Sequence, residues 1–417
     1  MLPAPSFFST INKNNDKILS IAALFLGAAV PLLPLGIAVT QGALGLGLVL
    51  LLVVSTSEPN VWNTFSKLKF NPLALTLAFM FAVWFATIPW SSDPLVSFTT
   101  ILRTVMYLIG CAFIWAHMSI HKGFQHKTLI VLISLSSVMV IVACASLLLP
   151  DEIGQVIRSL RGKPSTVELH FKAYSSALLC SVPVLIWGGR RIGGNWRWLT
   201  WAMMPAILYV MLATQSRSSV AGLLIMLTII TLVHSWVNGL TSKYILAALM
   251  LAFTSILTWV WFVGQRFTEI SDNFLPIWLI DPHRQVIWRY VFEKFLEAPW
   301  TGYGVNRINY IVGSDALRAD VKGSLISAHP HNWILEILSE TGVFGFAALV
   351  VVLVLLAWRL LAHYKKSNDI AGLTLIALCT AFFGSSLFNF SIWSTWWLLT
   401  FFFLFALVSV KGNTSEH

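Results

Sequence analysis

Apolar residues in this chain gather into unbroken blocks, not the alternating or three-to-four spacing of half-buried soluble elements. A helix needs about 20 apolar residues to cross a bilayer. Blocks of about that length lie at 18–34, 37–54, 72–89, 98–117, 128–149, 173–188, 198–214, 217–236, 244–263, 342–362, 370–389 and 393–410. The first two run together and divide at Pro31, Pro34 and Gly36, residues that punctuate a helix. The pattern predicts an all-α polytopic membrane protein of about twelve transmembrane helices, with residues 1–417 forming a single integral membrane domain. Residues 264–331, between the ninth and tenth spans, form one long polar loop. Loops of that length usually carry function.

Composition agrees with the pattern. Hydrophobic residues make up 57% of the chain and charged residues 11%, against about 25% charged in soluble proteins. Mean hydropathy is +0.78. The formal net charge of +10 reads as cytoplasmic loops and contact with lipid headgroups. No basic run sits beside a soluble fold, so nucleic acid is not an expected partner. Met1 to Lys17 is too polar and too long for the start of a cleaved signal peptide, so the first helix is expected to stay as an anchor. Cys111, Cys144, Cys180 and Cys379 all fall in apolar blocks without metal-finger spacing and read as small core residues.

Lysine and arginine placement orients the chain. With both termini cytoplasmic, the inner segments hold Lys13, Lys17, Lys67, Lys69, Arg190, Arg191, Lys365 and Lys366, among others, while the short outer connections near Leu35, Ser91 and Phe390 hold none. The 264–331 loop then lies outside and carries seven basic residues. An anionic ligand is one reason for positive charge there, and anionic headgroups are another.

Three stretches concentrate chemistry on the outer face. In "TQSRSS", Thr214 or Ser216 caps the next helix, and its free N–H groups favour an anion. Arg217 can grip a phosphate with two parallel hydrogen bonds, and Gln215 adds donors. An arginine snorkelling to the interface is the structural alternative. The second stretch, Asp281 to Glu297, reads as an amphipathic helix lying on the membrane, with Ile287, Trp288, Val291, Phe292 and Phe295 on its apolar arc. Arg289 falls on the solvated side. Arg284 falls inside the apolar arc, where a guanidinium needs a ligand phosphate or an acidic partner such as Asp281. In the third, "SAHPHNWILEILSETGVFGF", Pro330 suits the first turn of a helix and His331 would share that turn. The positive helix end disfavours imidazolium, which leaves a neutral imidazole able to take a proton. Asn332 and Glu336 share a face, with Glu340 nearby, and Gly342 and Gly345 allow a bend. His329 and His331 diverge on a short turn and find no third ligand at helical spacing, which argues against a metal site.

Taken in order, "TQSR", the R-x-x-I-W helix followed by "PWTGYG", and H-N-x-x-L-E-x-x-x-E-x-G resemble the O-antigen ligase and polymerase superfamily, and the hydrophobic profile is similar to it along essentially the whole chain. The resemblance implies a metal-independent, inverting glycosyltransferase of the bacterial inner membrane, with no cofactor and a periplasmic active site. The implied donor is a glycan on undecaprenyl pyrophosphate, and the implied acceptor is lipid A–core oligosaccharide. Arg217 and Arg284 match the family's diphosphate-binding arginines, and His331 matches its catalytic base. Gln215, Arg289, His329, Asn332, Glu336 and Arg103, the last at the outer end of a span, are expected in support. Glu336 is the next candidate base after His331.

Within the superfamily, the late long loop favours a ligase acting in lipopolysaccharide biosynthesis. A polymerase using the same donor is the alternative. A protein O-oligosaccharyltransferase would carry a further C-terminal domain. A secondary transporter fits twelve spans but would place polar residues near the midplane and repeat its halves. Here the ionisable residues gather at one surface.

Overall fold

In lipid, each backbone N–H and C=O must be satisfied within its own segment, so apolar blocks become helices. The computed structural model describes residues 7–159, 166–239, 282–315, 325–326 and 329–410, with scattered positions between 243 and 258. Among the described residues every regular element is helical. The first six long or short α-helices are α1 (Phe7–Ala29), α2 (Ile37–Ser55), α3 (Pro59–Ser66), α4 (Pro72–Ala86), α5 (Pro94–Ile120) and α6 (Lys122–Leu148). They are followed by α7 (Gln155–Ser159), α8 (Val167–Ile192), α9 (Asn195–Ala202), α10 (Met204–Ala213) and α11 (Arg217–Val237). The last four are α12 (Pro282–Glu297), α13 (Trp333–Ser367), α14 (Ile370–Ser386) and α15 (Thr395–Val408).

Seven helices among the described residues are long and apolar enough to cross a membrane, in the regions of α2, α4, α5, α6, α8, α11 and α13, and α14 and α15 are shorter apolar helices. All nine coincide with expected blocks. The 18–34 block falls on α1, which starts earlier in polar sequence, and the predicted break is a 3₁₀ turn at Leu33–Leu35. The 198–214 block is divided at Met203 into α9 and α10, with Pro205 in the first turn of α10. Proline lacks the N–H that would continue the helix from behind. The 244–263 block lies mostly outside the described residues.

The chain groups into two compact units. The first comprises Met1–Leu68, Tyr107–Ser219 and Leu399–His417. Within it α1 packs on α2 and α6, and glycines make the close approach. A Cβ on Gly27 would stand 2.6 Å from the Thr128 carbonyl oxygen, and one on Gly47 would stand 2.5 Å from the Leu26 side chain. Two polar side chains buried along α8 are paired: His170 Nε2 meets the Pro34 carbonyl at 2.9 Å, and Ser176 meets Ser219 at 3.0 Å.

The second unit comprises Lys69–Met106 and Val220–Leu398. Here α13 packs against α4, α12 and α14. The bend expected at Gly342 is present: its φ of 64° and ψ of −172° interrupt α13. Val343 N–H turns away from the helix and donates to the Pro299 carbonyl at 2.8 Å. The Ser339 and Glu340 carbonyls accept instead from Tyr303 N–H (3.0 Å) and Gly304 N–H (2.9 Å). The "PWTGYG" turn thus replaces the missing rungs of the helix ladder. Two glycines face each other across this interlock. A Cβ on Gly342 would lie 2.2 Å from the Trp300 carbonyl, and one on Gly302 would lie 2.5 Å from the Glu340 carbonyl oxygen. On its other side the turn is held by Ser97 Oγ, which donates to the Val305 carbonyl at 3.1 Å, and by Ser92 N–H, which donates to the Tyr303 carbonyl at 2.9 Å.

Candidate functional site

His331 lies in the second unit, just before α13. It is not in the first helical turn, as the position of Pro330 led us to expect. Asn332 is the N-cap, extended at φ −156°, and its side chain accepts from Ile334 N–H (3.0 Å) and Leu335 N–H (3.2 Å). Asparagine takes the cap because its short carbonyl reaches two orphan amides at once. That leaves His331 one position outside the helix at φ 58°, in the left-handed region that few residues other than glycine adopt without support. The His329 and His331 ring centres are 4.2 Å apart, and His329 lies 6.0 Å from the Phe390 ring centre. Among the described residues no three His, Cys, Asp or Glu side chains stand close enough to hold a metal ion.

Helix α12 meets this segment directly: Trp288 Nε1 donates to the Pro330 carbonyl at 3.0 Å. Arg284 stands one turn before Trp288 and is half-buried, whereas Arg289 is exposed, as its place on the solvated arc predicts. Asp281, the acidic partner considered for Arg284, lies outside the described residues. The apolar arc of α12 corrects one expectation. Ile287 and Val291 are not turned to a membrane surface; they join Ile308, Ile311, Leu325 and Ile326 in a small protein core, with Trp288 and Leu335 packed against it. Phe292, placed on the same arc by sequence, is 46% exposed. At the end of α12, Glu297 accepts from Lys294 at 2.8 Å and from the Tyr303 hydroxyl at 2.7 Å. Those two hydrogen bonds hold its carboxyl below the usual range.

Gln215 and Arg217 belong to the first unit. Arg217 opens α11 and is half-buried; Gln215 is exposed at φ 52°. Of the two predicted caps, Thr214 serves the preceding helix, donating to the Val210 carbonyl at 2.7 Å. Ser216 immediately precedes α11 and pairs with Ser219 at 2.7 Å.

The feature that sequence reading left undeveloped is a pair of buried carboxylates on the first two turns of α13. Glu336 accepts from the Ser391 hydroxyl at 2.5 Å and from Ile392 N–H at 2.9 Å. Glu340 accepts from Arg307 N–H (2.8 Å) and Ile308 N–H (3.0 Å) on one oxygen. On the other it accepts from Asn306 N–H (2.7 Å) and the Trp393 indole (2.5 Å). Arg103, placed at a span end by sequence, reaches the same place and donates to the Trp393 carbonyl at 3.1 Å. The available signal was the pairing of E-x-x-x-E-x-G with a glycine turn far upstream.

Known proteins resemble part of this chain. The family model described as O-antigen ligase matches residues 202–350, the segment that holds Arg217, Arg284, His331 and both carboxylates. The family matched over 202–350 is the one the motifs resemble. A protein of Rickettsia typhi named "putative polysaccharide ligase" is 31% identical over 34% of this chain and 35% of its own length. One of the same name from Rickettsia prowazekii is 29% identical over the same shares, and one from Rickettsia bellii is 26% identical over 49% of each. The matches span about a third to a half of the length of these curated relatives.

Proposed function

We propose that this chain is an O-antigen ligase. It transfers a glycan from undecaprenyl pyrophosphate to lipid A–core oligosaccharide on the periplasmic face of the bacterial inner membrane. The observation that carries this reading is the hydrogen bond from Trp288 to the Pro330 carbonyl. It sets the arginine-bearing helix beside the candidate base, inside the segment that matches the O-antigen ligase family.

In the proposed reaction a ring nitrogen of His331 accepts the proton of an acceptor hydroxyl. The hydroxyl oxygen forms a bond to the anomeric carbon of the donor sugar from the face opposite the leaving group. The bond from that carbon to the pyrophosphate oxygen breaks, with inversion. Undecaprenyl pyrophosphate departs with the electron pair, and the Arg284 guanidinium takes up its developing charge. The donor is already activated, so a nucleotide site and a resident metal are not required.

Deletion of the gene, followed by analysis of surface glycan, tests the reading. Loss of all long glycan from lipid A–core while carrier-linked polymer persists is the expected result. A single repeat unit left on lipid A–core would make the protein a polymerase instead.

A further inference from the structure

Glu336 and Glu340 are 2% and 0% exposed, and neither makes an ion pair among the described residues. Buried carboxylates of this kind persist where their oxygens are filled by donors. The donors here are mostly backbone. Three consecutive N–H groups, Asn306 to Ile308, converge on Glu340, helped by Asn306 at φ 60°. Successive amides folded in this way make a nest for an anion. A side chain of the protein fills it. Glu336 does the same for the connection between α14 and α15, through Ser391 and Ile392. The Trp393 indole on Glu340 and the Trp393 N–H on Ser391 Oγ (3.1 Å) join the two carboxylates into one frame. That connection carries Phe390, which faces the His329 ring.

We propose that Glu336 and Glu340 are positioning residues. Their carboxylates fix the 306–308 and 391–393 backbones to the helix that His331 precedes, and so set the geometry of the reacting centre without touching substrate. This rests on the reading of His331 given above. It also removes Glu336 as a replacement base, because both its oxygens are occupied in the interior.

The two carboxylates differ in a way that an amide exposes. At Glu340 each oxygen faces two N–H donors. Whichever way a glutamine is turned there, its NH2 meets two donors. At Glu336 one oxygen faces a hydroxyl, which can accept as well as donate. A glutamine there can donate to Ser391 and still accept from Ile392.

The test uses the full chain in nanodiscs, as Glu340→Gln, Glu336→Gln and Glu336→Ala. Amide hydrogen exchange is read at 306–308 and 391–393. Transfer is read with undecaprenyl-pyrophosphate-linked glycan and lipid A–core. An unsatisfied buried donor costs enough that Glu340→Gln should raise exchange at 306–308 and lower kcat by about tenfold or more each, with the donor KM within about threefold. Glu336→Gln should change every quantity by less than about threefold, while Glu336→Ala opens 391–393 by about tenfold and lowers kcat. Wild-type exchange in Glu340→Gln, equal effects of the two glutamines, or a raised KM at unchanged kcat would each overturn the proposal. If Glu340→Gln does not insert, Glu340→Asp keeps the acceptors, and failure of that variant to recover protection counts against the frame. If the wild-type protein itself does not transfer, the functional reading falls, and exchange alone decides whether the frame exists.

Discussion

Replacing Gly342 with alanine should unseat the interlock that shapes the second unit. Two costs add. The backbone at φ 64° strains an L-residue by about 1–3 kcal/mol. The new Cβ would also sit 2.2 Å from the Trp300 carbonyl carbon and oxygen. Those are backbone atoms that no rotamer change can move, so the turn must withdraw. Withdrawal breaks Val343 N–H to Pro299, Tyr303 N–H to Ser339 and Gly304 N–H to Glu340, at about 1 kcal/mol each. The sum is about 4–6 kcal/mol. At roughly 2–4 °C per kcal/mol for chains of 150–250 residues, the unfolding midpoint should fall by on the order of 10 °C. Gly239→Ala, in the same unit, is the control. Gly239 also has positive φ, at 59°, but a Cβ there meets nothing within 4 Å, so it pays the strain alone and should fall by a few degrees at most. Heating in detergent with a thiol-reactive dye, followed by mass spectrometry of Cys379 in α14, reads the second unit. A Gly342→Ala midpoint within 2 °C of wild type, roughly 1 kcal/mol or less, would refute the argument.

Three further outcomes are expected. His331→Ala should lower transfer by about 10²- to 10⁴-fold while binding of undecaprenyl pyrophosphate is kept; loss of binding instead would make His331 a phosphate ligand. Arg284→Lys keeps the charge but loses the planar fork and should impair transfer strongly, whereas Arg289→Lys, on the exposed side of α12, should be mild; the reverse order would defeat the helical-face assignment. A cysteine at Val312, 92% exposed, should react with an impermeant thiol reagent added to cells with a permeabilised outer membrane, while one at Lys366 stays protected; the opposite labelling would invert the topology.

How far the sequence carried depended on the reach of each signal. Apolar blocks are local, so nine of the expected spans appear where helices form. The glycines of "PWTGYG" and at Gly342 were legible as a turn and a bend, but not as partners, because nothing local says that the two meet. Periodicity put Ile287, Val291 and Phe292 on one apolar arc of α12. It did not say what the arc would meet, because an arc gives an angle and not its partner: 308–311 and 325–326 cover Ile287 and Val291, in place of the membrane surface expected there. The i, i+4 spacing placed Glu336 and Glu340 on one face of α13. Their partners at 306–308 and 391–393 come from separate stretches of chain, so the reason for burying two carboxylates was hidden. The cap of α13 turned on one residue: proline before histidine suggested a helix start, and Asn332 competed better for the free amides.

The conformation of His331 ties these features together. A non-glycine residue held at φ 58° is stable only when its surroundings over-determine it. Two constraints lie on either side in sequence: Trp288 grips the Pro330 carbonyl, and Asn332 caps α13. Neither would fix the ring if α13 could shift along its axis. The Gly342 interlock and the Glu340 nest prevent that by joining the same two helical turns to 299–308, the first through backbone groups alone and the second through three successive amides on one carboxylate. In the proposed site the exposed loop side chains make none of these bonds, and the geometry rests on two glycines, two carboxylates and one asparagine. That division would suit the proposed ligase, in which the glycan varies and the displacement at one carbon does not.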